Sequence, residues 1–394
     1  MEMDKEKLWN ANYLRVWTSN FLLHFSFQLI VPLLPLYLSE TFGAGKDAIG
    51  VALAGYAVMA LLIRPLSGYI IDSLPRKAVL LAANFLFVAC FAGYLAAGSL
   101  TLFAIFRSLH GLPFGACTVA INTVAVDSLP PSRRTEGMGY FGLSNNIATA
   151  IGPMLAIWLL TALRGRFDLL FAISMGVSVL GLVLDAGIEL PHIQSTATRQ
   201  HFTLGKLFLV KGIPEAVPAV LFAVCHAVVT TYVVIYGKQE LGISSTGLFF
   251  TLFALGLIIS RLVGGKALRE NRVSHNASLG IAVSLAGYLL FALAHNEAGY
   301  FLSAFIIGIG NGHWYPAFLI MFINLAPDES RGTANSSILT AWDAGSGLGV
   351  LVGGILSEHL GYTPAFVAAA LVFAAGAAFY YLYVRRHFEA DKLR

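Results

Sequence analysis

Long, continuous apolar runs are the feature that most restricts what this chain can fold into. Each run has the length of about 20 residues that a helix needs to cross the hydrocarbon core of a bilayer, and short polar breaks separate the runs. Backbone polar groups in lipid must be satisfied internally, which leaves helices or a closed barrel. The runs are too long and too continuously apolar for the roughly 10-residue alternating strands of a barrel. The sequence therefore predicts a helical membrane protein.

The composition agrees with lipid as a second solvent. Of the 394 residues, 57% are hydrophobic and 12% are charged, whereas about a quarter are charged in soluble proteins. The mean hydropathy is +0.74. We expect an all-α membrane protein with twelve transmembrane helices in two pseudo-symmetric six-helix bundles. The expected spans, numbered 1 to 12, are 14–38, 48–72, 78–98, 101–127, 137–162, 168–187, 213–237, 245–268, 277–295, 299–325, 334–359 and 364–385.

Charge and cysteine usage disfavour several other classes of protein. The net charge is only +4, and Lys and Arg lie in the breaks between spans, so no nucleic-acid partner is expected. Cys90, Cys117 and Cys225 lie inside apolar runs and are expected to be free thiols. Neither a Ser-His-Asp set at helix-compatible positions nor a Walker-type phosphate loop is evident in the sequence. We therefore expect neither an enzyme nor a chain that hydrolyses ATP.

The distribution of Lys and Arg predicts the orientation in the membrane. These residues concentrate in the breaks that face the cytoplasm if the N-terminus is cytoplasmic, and positive charge marks the cytoplasmic side. Both termini are therefore expected in the cytoplasm, which requires an even number of spans. The first run lacks a small-residue cleavage site and is too long for a signal peptide, so it is expected to remain as span 1. We expect a monomer in the inner (plasma) membrane.

The two parts of the chain repeat each other. Residues 56–68 align with residues 253–265 without a gap, and the same displacement places Arg134 over Arg331. A parallel repeat of six spans places the substrate site at the interface of the halves, near the membrane midplane. The predicted units are an N-terminal half, a central cytoplasmic loop and a C-terminal half, at 1–187, 188–212 and 213–394.

A glycine, an aspartate and a basic pair mark the expected cytoplasmic end of span 2. Gly68 is followed four residues later by Asp72 and then by the basic pair Arg76 and Lys77. In this respect the chain resembles the major facilitator superfamily, in which such a motif follows span 2, and the resemblance covers essentially the whole length. It implies that Asp72 and Arg76 take part in gating. Asp127, at the expected inner end of span 4, can pair with Arg76; the alternative is a pair of solvated loop charges.

Two further motifs carry the same resemblance. Span 4 holds Arg107, His110 and Gly111 in the family's second motif. Span 5 holds Gly139, Gly152 and Pro153, part of a motif that resembles the signature of exporters working as antiporters. The resemblance implies transport by alternating access.

Small residues on spans 5 and 11 predict close approach of helices. Gly139, Gly152 and Pro153 on span 5 and Gly349 and Gly353 on span 11 follow the spacing of a small-residue stripe. We expect these residues to bring the two helices together at the interface of the halves. The alternative is ordinary packing between small residues, which we favour over direct contact with a substrate.

Four histidines fall on the spans that line the cavity in the family that the chain resembles. His24, His110, His226 and His313 lie on spans 1, 4, 7 and 10, and we expect at least two of them to line the cavity. Histidine can carry protons near neutral pH or form hydrogen bonds to a substrate. A metal site would add carboxylates or thiolates, and none lies at matching depth on these spans. No metal site is predicted, and packing is the alternative for each histidine.

Other polar and aromatic residues are expected to face the same cavity. Arg107 is a deep charge whose motif implies a role in proton movement, with contact to an anionic substrate as the competing interpretation. Gln28 and Asn122 can offer hydrogen bonds. Trp314 and Tyr315 can form an aromatic substrate platform, or pack in the core.

Two deep charges predict an ion pair between the halves. Asp343 on span 11 lies at a depth similar to that of Arg64 on span 2, and in the fold that the resemblance implies these spans touch. We expect an Arg64–Asp343 ion pair that closes the inner side, unless Arg64 instead extends to the headgroups. The pseudo-symmetric contact joins Arg261 on span 8 to Asn145 or Asn146 on span 5.

These features together predict a secondary active transporter. The leading hypothesis is a proton-coupled exporter of a small neutral or anionic organic solute, since the deep charges are predominantly positive. It needs no cofactor beyond a proton gradient. The alternatives are a proton-coupled uptake permease of the same fold and a metal or metal-chelate carrier that uses the membrane histidines.

Overall fold

The computed structural model describes residues 7–130, 133–189, 208–269, 272–327 and 331–393. Within these ranges it describes the backbone, but not the side chains, of residues 65, 68, 69, 72, 73, 134–136, 139, 261–269, 331, 332 and 335. The predicted central loop, 188–212, lies largely outside the described residues, so its boundaries stay a prediction.

The described chain is built from helices. Spans 2 to 6 are Lys46–Ser73, Arg76–Ala96, Leu100–Asp127, Arg134–Ala162 and Phe167–Ala186. Spans 7 to 11 are Ile213–Gln239, Gly247–Arg269, Val273–Leu293, Glu297–Leu325 and Arg331–Leu360. Eleven helices in the described ranges are long and apolar enough to cross a bilayer, and span 8 adds the apolar stretch Gly247–Ser260. The predicted all-α membrane class is confirmed.

Spans 1 and 12 differ from the continuous helices expected. Span 1 consists of Ala11–Gln28, a 3-10 turn at Val31–Leu33 and a second helix at Leu34–Phe42. Proline has no backbone N–H and its ring clashes with the preceding turn, so Pro32 and Pro35 interrupt the helix and begin its next segments. Span 12 runs beyond its expected end, from Tyr362–Phe379 through the π-helical Tyr380–Val384 to Arg385–Asp391.

Short polar side chains fix the start of three spans. Asn10, Ser99 and Asn296 each precede a helix and accept a hydrogen bond from the backbone N–H three residues later. The first backbone N–H groups of a helix have no partner within the helix, and a side-chain oxygen at this position satisfies one of them. The polar breaks in the sequence therefore determine where these spans begin.

The repeat in the sequence corresponds to a repeated contact in the structure. A Cβ on Gly111 of span 4 would lie 2.1 Å from the carbonyl oxygen of Tyr56 on span 2. In the other half, a Cβ on Gly308 of span 10 would lie 2.1 Å from the carbonyl oxygen of Phe253 on span 8. Gly308 and Phe253 follow Gly111 and Tyr56 in the sequence by the same number of residues that separates 253–265 from 56–68. In both halves the helices approach so closely that only glycine fits.

Spans 2 and 11 join the two halves through small residues. A Cβ on Gly347 would lie 2.8 Å from the Cβ of Ala57, and one on Gly50 would lie 3.2 Å from the Cα of Gly354. Spans 5 and 8 also meet, since a Cβ on Gly247 would lie 3.3 Å from Ile157. Span 1 also contacts span 7 through Val31–Leu33 and Leu34–Phe42, so the interface between the halves includes three pairs of helices.

The predicted packing residues lie at other contacts. A Cβ on Gly152 would lie 2.6 Å from Gln28 of span 1. A Cβ on Gly349 would lie 2.4 Å from the carbonyl oxygen of Val224 on span 7. A Cβ on Gly353 would lie 3.1 Å from Val228 of span 7. The expectation that these glycines pack the interface of the halves is wrong, because they pack helices within one half. Residues two positions apart in a helix point in directions that differ by about 200°, so Gly347 and Gly349 face different neighbours.

We expect Gly349→Ala to destabilise the protein by about 1–3 kcal/mol, because the new methyl group would meet backbone that cannot move aside. The matched control is Gly176→Ala on span 6, where a Cβ would meet nothing within 4 Å. Thermal unfolding of the two purified variants in detergent measures the difference. Equal melting temperatures would show that span 11 does not pack against span 7 in this way.

Candidate functional site

A cavity of about 470 Å³ lies between the two halves. Spans 1, 2, 4 and 5 contribute one wall, and spans 7, 8, 10 and 11 contribute the other. Its lining includes the polar residues Asn20, His24, Gln28, Arg64, Arg107, Asn122, Asn145, His226, Thr230, Asp343 and Ser346. The volume lies in the range of small-molecule sites, and the position agrees with a site at the interface of repeated halves.

An ion pair bridges the halves in the cavity wall. Arg64 Nε of span 2 donates to Asp343 Oδ2 of span 11, and Arg64 Nη1 lies 3.3 Å from Thr118 Oγ1 of span 4. The side chains are 8% and 17% exposed. Pairing allows both charges to remain ionised in a region that water reaches poorly.

Arg107 lies in a different environment. Its guanidinium carbon is 4.2 Å from the ring centre of Tyr56 and 5.0 Å from that of Phe27. Arg107 Nη1 is 3.4 Å from the hydroxyl of Tyr94, and Nε has no hydrogen-bond partner in the described structure. Aromatic ring faces attract a cation, so this wall holds the guanidinium without a carboxylate among the described residues.

The C-terminal half presents a hydrogen-bonded and aromatic wall. His226 Nδ1 lies 3.2 Å from both the Tyr288 hydroxyl and Asn311 Nδ2. Asn311 Oδ1 in turn accepts from Ser284 Oγ at 2.9 Å. The His226 ring centre is 5.2 Å from Trp342, which lines the cavity. This network fixes the orientation of His226 against the aromatic surface.

The family assignment rests on a comparison with known proteins. The family model for the Major Facilitator Superfamily matches residues 16–350 and 277–393. This chain belongs to the Major Facilitator Superfamily. The resemblance inferred from the motifs is confirmed, and the protein is a transporter rather than an enzyme.

Curated relatives and a solved structure agree with this assignment. The staphylopine export protein of Staphylococcus aureus strain Mu50 is 22% identical over 361 residues, covering 86% of this chain and 88% of the relative. The quinolone resistance protein NorA of Staphylococcus aureus strain MRSA252 is 22% identical over 353 residues, with the same coverage. The crystal structure of the nucleoside transporter NupG superposes with a TM-score of 0.78 at 14% identity, covering 95% of this chain and 100% of that one. The last similarity shows the fold alone.

Two of the four histidines line the cavity of this superfamily member, namely His24 and His226. His110 is fully buried behind the wall, where its Nδ1 lies 2.6 Å from the Tyr94 hydroxyl. His313 points to span 9, and its Nδ1 lies 2.9 Å from Asn276 Oδ1. The structure therefore corrects the expected placement of His110 and His313, because tyrosine and asparagine partners on spans 3 and 9 hold them outside the cavity.

The expected aromatic platform is also corrected. Trp314 is fully buried and packs against Phe222 and Phe318, so it lies in the core of the C-terminal half. Tyr315 does line the cavity, and its ring centre is 5.0 Å from Trp342. Adjacent residues differ in direction by about 100° along a helix, which separates Trp314 from Tyr315. Trp342 completes the platform in place of Trp314.

The remaining predicted residues are spread over several places. Gln28, Asn122 and Pro153 line the cavity, and Asn122 Nδ2 donates to the Thr118 carbonyl oxygen at 2.6 Å. Asn146 is exposed, whereas its neighbour Asn145 lines the cavity. The side chains of Gly68, Asp72, Gly139 and Arg261 lie outside the described part, so their predicted roles stay predictions.

Arg76 and Asp127 contact each other beside the first loop motif. Arg76 Nη1 lies 2.7 Å from Asp127 Oδ1 and 2.5 Å from Oδ2. The Asp127 side chain is only 8% exposed, so the carboxylate is not a solvated loop charge. The contact joins spans 3 and 4 within one half, and its role in gating stays a prediction.

Sequence reasoning did not identify several residues of this site. Tyr56, Tyr94, Tyr288 and Trp342 surround the cavity charges and histidines, but aromatic residues in apolar spans carry no distinguishing signal. Outside the cavity, a further buried charge was missed: Asp185 is fully buried at the end of span 6, and Asn84 Nδ2 of span 3 donates to it at 2.6 Å. A carboxylate inside an apolar run was the available signal for this residue.

We expect Asp343→Asn to destabilise the fold by about 3 kcal/mol, because it leaves the buried Arg64 charge without its partner. The double variant Arg64→Gln/Asp343→Asn should recover most of this loss. The control is Asp168→Asn, which removes a surface pair whose side chains are 61% and 55% exposed. Thermal unfolding of the wild type, Arg64→Gln, Asp343→Asn and the double variant gives the coupling energy; additive effects would contradict an interacting pair.

Proposed function

We propose that this protein is a proton-coupled secondary transporter that exports a small neutral or anionic organic solute by alternating access. The observation that carries the proposal is the cavity between the halves with the Arg64–Asp343 pair across its wall. A solute that binds there contacts both halves, so movement of one half against the other can change the side from which the solute is reached.

The ion pair supplies a route to proton coupling. Asp343 lines the cavity, where protons can reach its carboxylate, and its partner lies on the other half. Protonation of Asp343 removes the charge that attracts Arg64, which weakens the link between spans 2 and 11. Deprotonation restores the link. The equilibrium between the two arrangements of the halves then depends on proton binding.

A second set of contacts holds the halves together at the face opposite the chain termini. The backbone N–H of Lys46 donates to Glu358 Oε2 at 2.7 Å, and Lys46 Nζ donates to the Ser357 carbonyl oxygen at 3.2 Å. Lys238 Nζ forms an ion pair with Glu40 at 2.6 Å. In the proposed cycle these contacts separate when the cavity opens to that face.

Export is favoured over uptake by the curated relatives. One is named an export protein and the other a resistance protein, and span 5 carries part of the exporter motif. The positive charge of the loops supports a plasma-membrane protein with cytoplasmic termini, and the partial exporter motif of span 5 supports antiport. We propose that it works as a monomer without a cofactor.

The alternatives receive less support. An uptake permease would use the same cavity with the opposite direction of solute flux. A metal carrier would need a cluster of ligands, and within the described ranges no three His, Cys, Asp or Glu side chains form a group that could hold a metal ion.

Reconstitution in liposomes tests the proton coupling. Lumenal pH is followed with a dye while sugars, organic acids and drugs are added one at a time. We expect a substrate-dependent proton flux in the wild type, reduced at least about tenfold in Asp343→Asn because the coupling carboxyl group is lost. Asp168→Asn should behave as the wild type. Solute movement without proton flux would contradict proton coupling, and an active Asp343→Asn protein would contradict the role of the ion pair.

A cross-link tests alternating access. A Cβ on Gly347 would lie 2.8 Å from the Cβ of Ala57, whereas the Cβ atoms of a disulfide lie about 3.5–4.5 Å apart. The two spans therefore have to move apart by about 1 Å for the cross-link to form. In a background with Cys90, Cys117 and Cys225 replaced by alanine, oxidation of Ala57→Cys/Gly347→Cys should abolish transport, and reduction should restore it. Each single-cysteine variant should keep its activity under oxidation. Full activity of the cross-linked protein would show that spans 2 and 11 do not separate during the cycle.

A further inference from the structure

We infer that the cavity binds an aromatic monocarboxylate, with the carboxylate at Arg107 and the aromatic ring against the Tyr315–Trp342 wall. The inference rests on the proposed function and specifies the chemical class of its solute. Three properties of the cavity carry it: the surroundings of Arg107, the balance of charge in the lining and the aromatic surface of the other half.

Arg107 is a buried cation with unused hydrogen-bonding capacity. The residue is only 4% exposed, yet no carboxylate among the described residues pairs with it. The guanidinium has five N–H donors; Nε has no partner and Nη1 has one long contact, to Tyr94. The Tyr56 hydroxyl beside it is also buried and without a partner. Buried polar groups are normally satisfied, so Arg107 and Tyr56 together point to an acceptor supplied by a ligand.

The charge of the lining specifies how many negative charges the ligand carries. Among the described lining residues the charged side chains are Arg64, Arg107 and Asp343. Arg64 and Asp343 neutralise each other in their ion pair. One positive charge, that of Arg107, is left facing the cavity. A monoanion neutralises it, whereas a cation would be repelled and a dianion would bring an excess charge into a poorly solvated space.

The geometry of the guanidinium favours a carboxylate over other anionic groups. A planar guanidinium can bind the two oxygens of a carboxylate with two parallel N–H···O bonds. The rings of Tyr56 and Phe27 lie against the Arg107 guanidinium, so they restrict its orientation. Such restriction lowers the entropy that binding must remove.

The opposite half offers a surface for an aromatic ring. Tyr315 and Trp342 are in edge contact at 5.0 Å between ring centres, and the His226 ring lies 5.2 Å from Trp342. Phe253 lies 5.8 Å from His226 and also lines the cavity. Aromatic rings prefer offset or edge-to-face packing at such separations. A ligand with a carboxylate at one end and a ring at the other therefore contacts both halves at once.

Binding of matched naphthalene compounds to the full-length protein in nanodiscs tests the inference. Isothermal titration calorimetry compares 2-naphthoate, 2-naphthamide and 2-naphthylmethylammonium. We expect the wild type to bind the carboxylate at least about tenfold more tightly than the amide, and the cation least tightly. In Arg107→Gln the preference for the carboxylate should disappear, and in Tyr56→Phe it should fall a few-fold. Trp342→Leu should weaken the carboxylate and the amide alike and leave their ratio unchanged.

Selectivity of the wild type decides the outcome even where Arg107→Gln does not fold. The inference is overturned if the wild type binds the amide as tightly as the carboxylate, or binds the cation more tightly. It is also overturned if the preference for the carboxylate survives in Arg107→Gln or is unchanged in Tyr56→Phe. A protein that carries neutral or cationic solutes across liposomes but does not bind 2-naphthoate overturns the inference and leaves the proposed function in place. Binding of 2-naphthoate without flux of any solute overturns the proposed function instead.

Discussion

The pairing of Arg64 with Asp343 is the interaction on which the arrangement of the two halves depends. An ionised side chain inside a membrane must face water or find a partner, and these two residues belong to different halves of the chain. Their contact ties the register of span 2 to that of span 11, so the small residues Ala57 and Gly347 meet on the same line. In the proposed cycle, this link holds the halves together until Asp343 is protonated.

Arg107 shows the other way in which the protein keeps a charge at depth. It has aromatic rings where Arg64 has a carboxylate. In a poorly solvated site, an aromatic ring face stabilises a neighbouring cation less than a carboxylate partner would. The cavity therefore combines a charge that is satisfied by the fold with one that a ligand can satisfy. This difference separates the part of the site that holds the halves together from the part that we assign to the solute.

Close backbone contacts make this arrangement possible. Lipid provides no hydrophobic force between helices, so association depends on packing and on interhelical hydrogen bonds. Gly111 and Gly308 bring spans 4 and 10 against spans 2 and 8 at equivalent places in the two halves. Span 4 carries Arg107 and span 10 carries Tyr315, one on each side of the cavity. The position of the cavity walls thus follows from contacts that only glycine allows.

The sequence by itself determined the class, the number of spans and the repeat, because these depend on the length of apolar runs and on spacing along the chain. It also identified the charges of the site, since Arg64, Arg107 and Asp343 are conspicuous in apolar surroundings. Only the tertiary structure decided which side of each helix faces the cavity. A shift of one residue turns a side chain by about 100°, which places Tyr315 in the wall and Trp314 in the core. For the same reason Gly349 packs within its half, and His110 and His313 turn to partners on spans 3 and 9 that sequence spacing does not reveal.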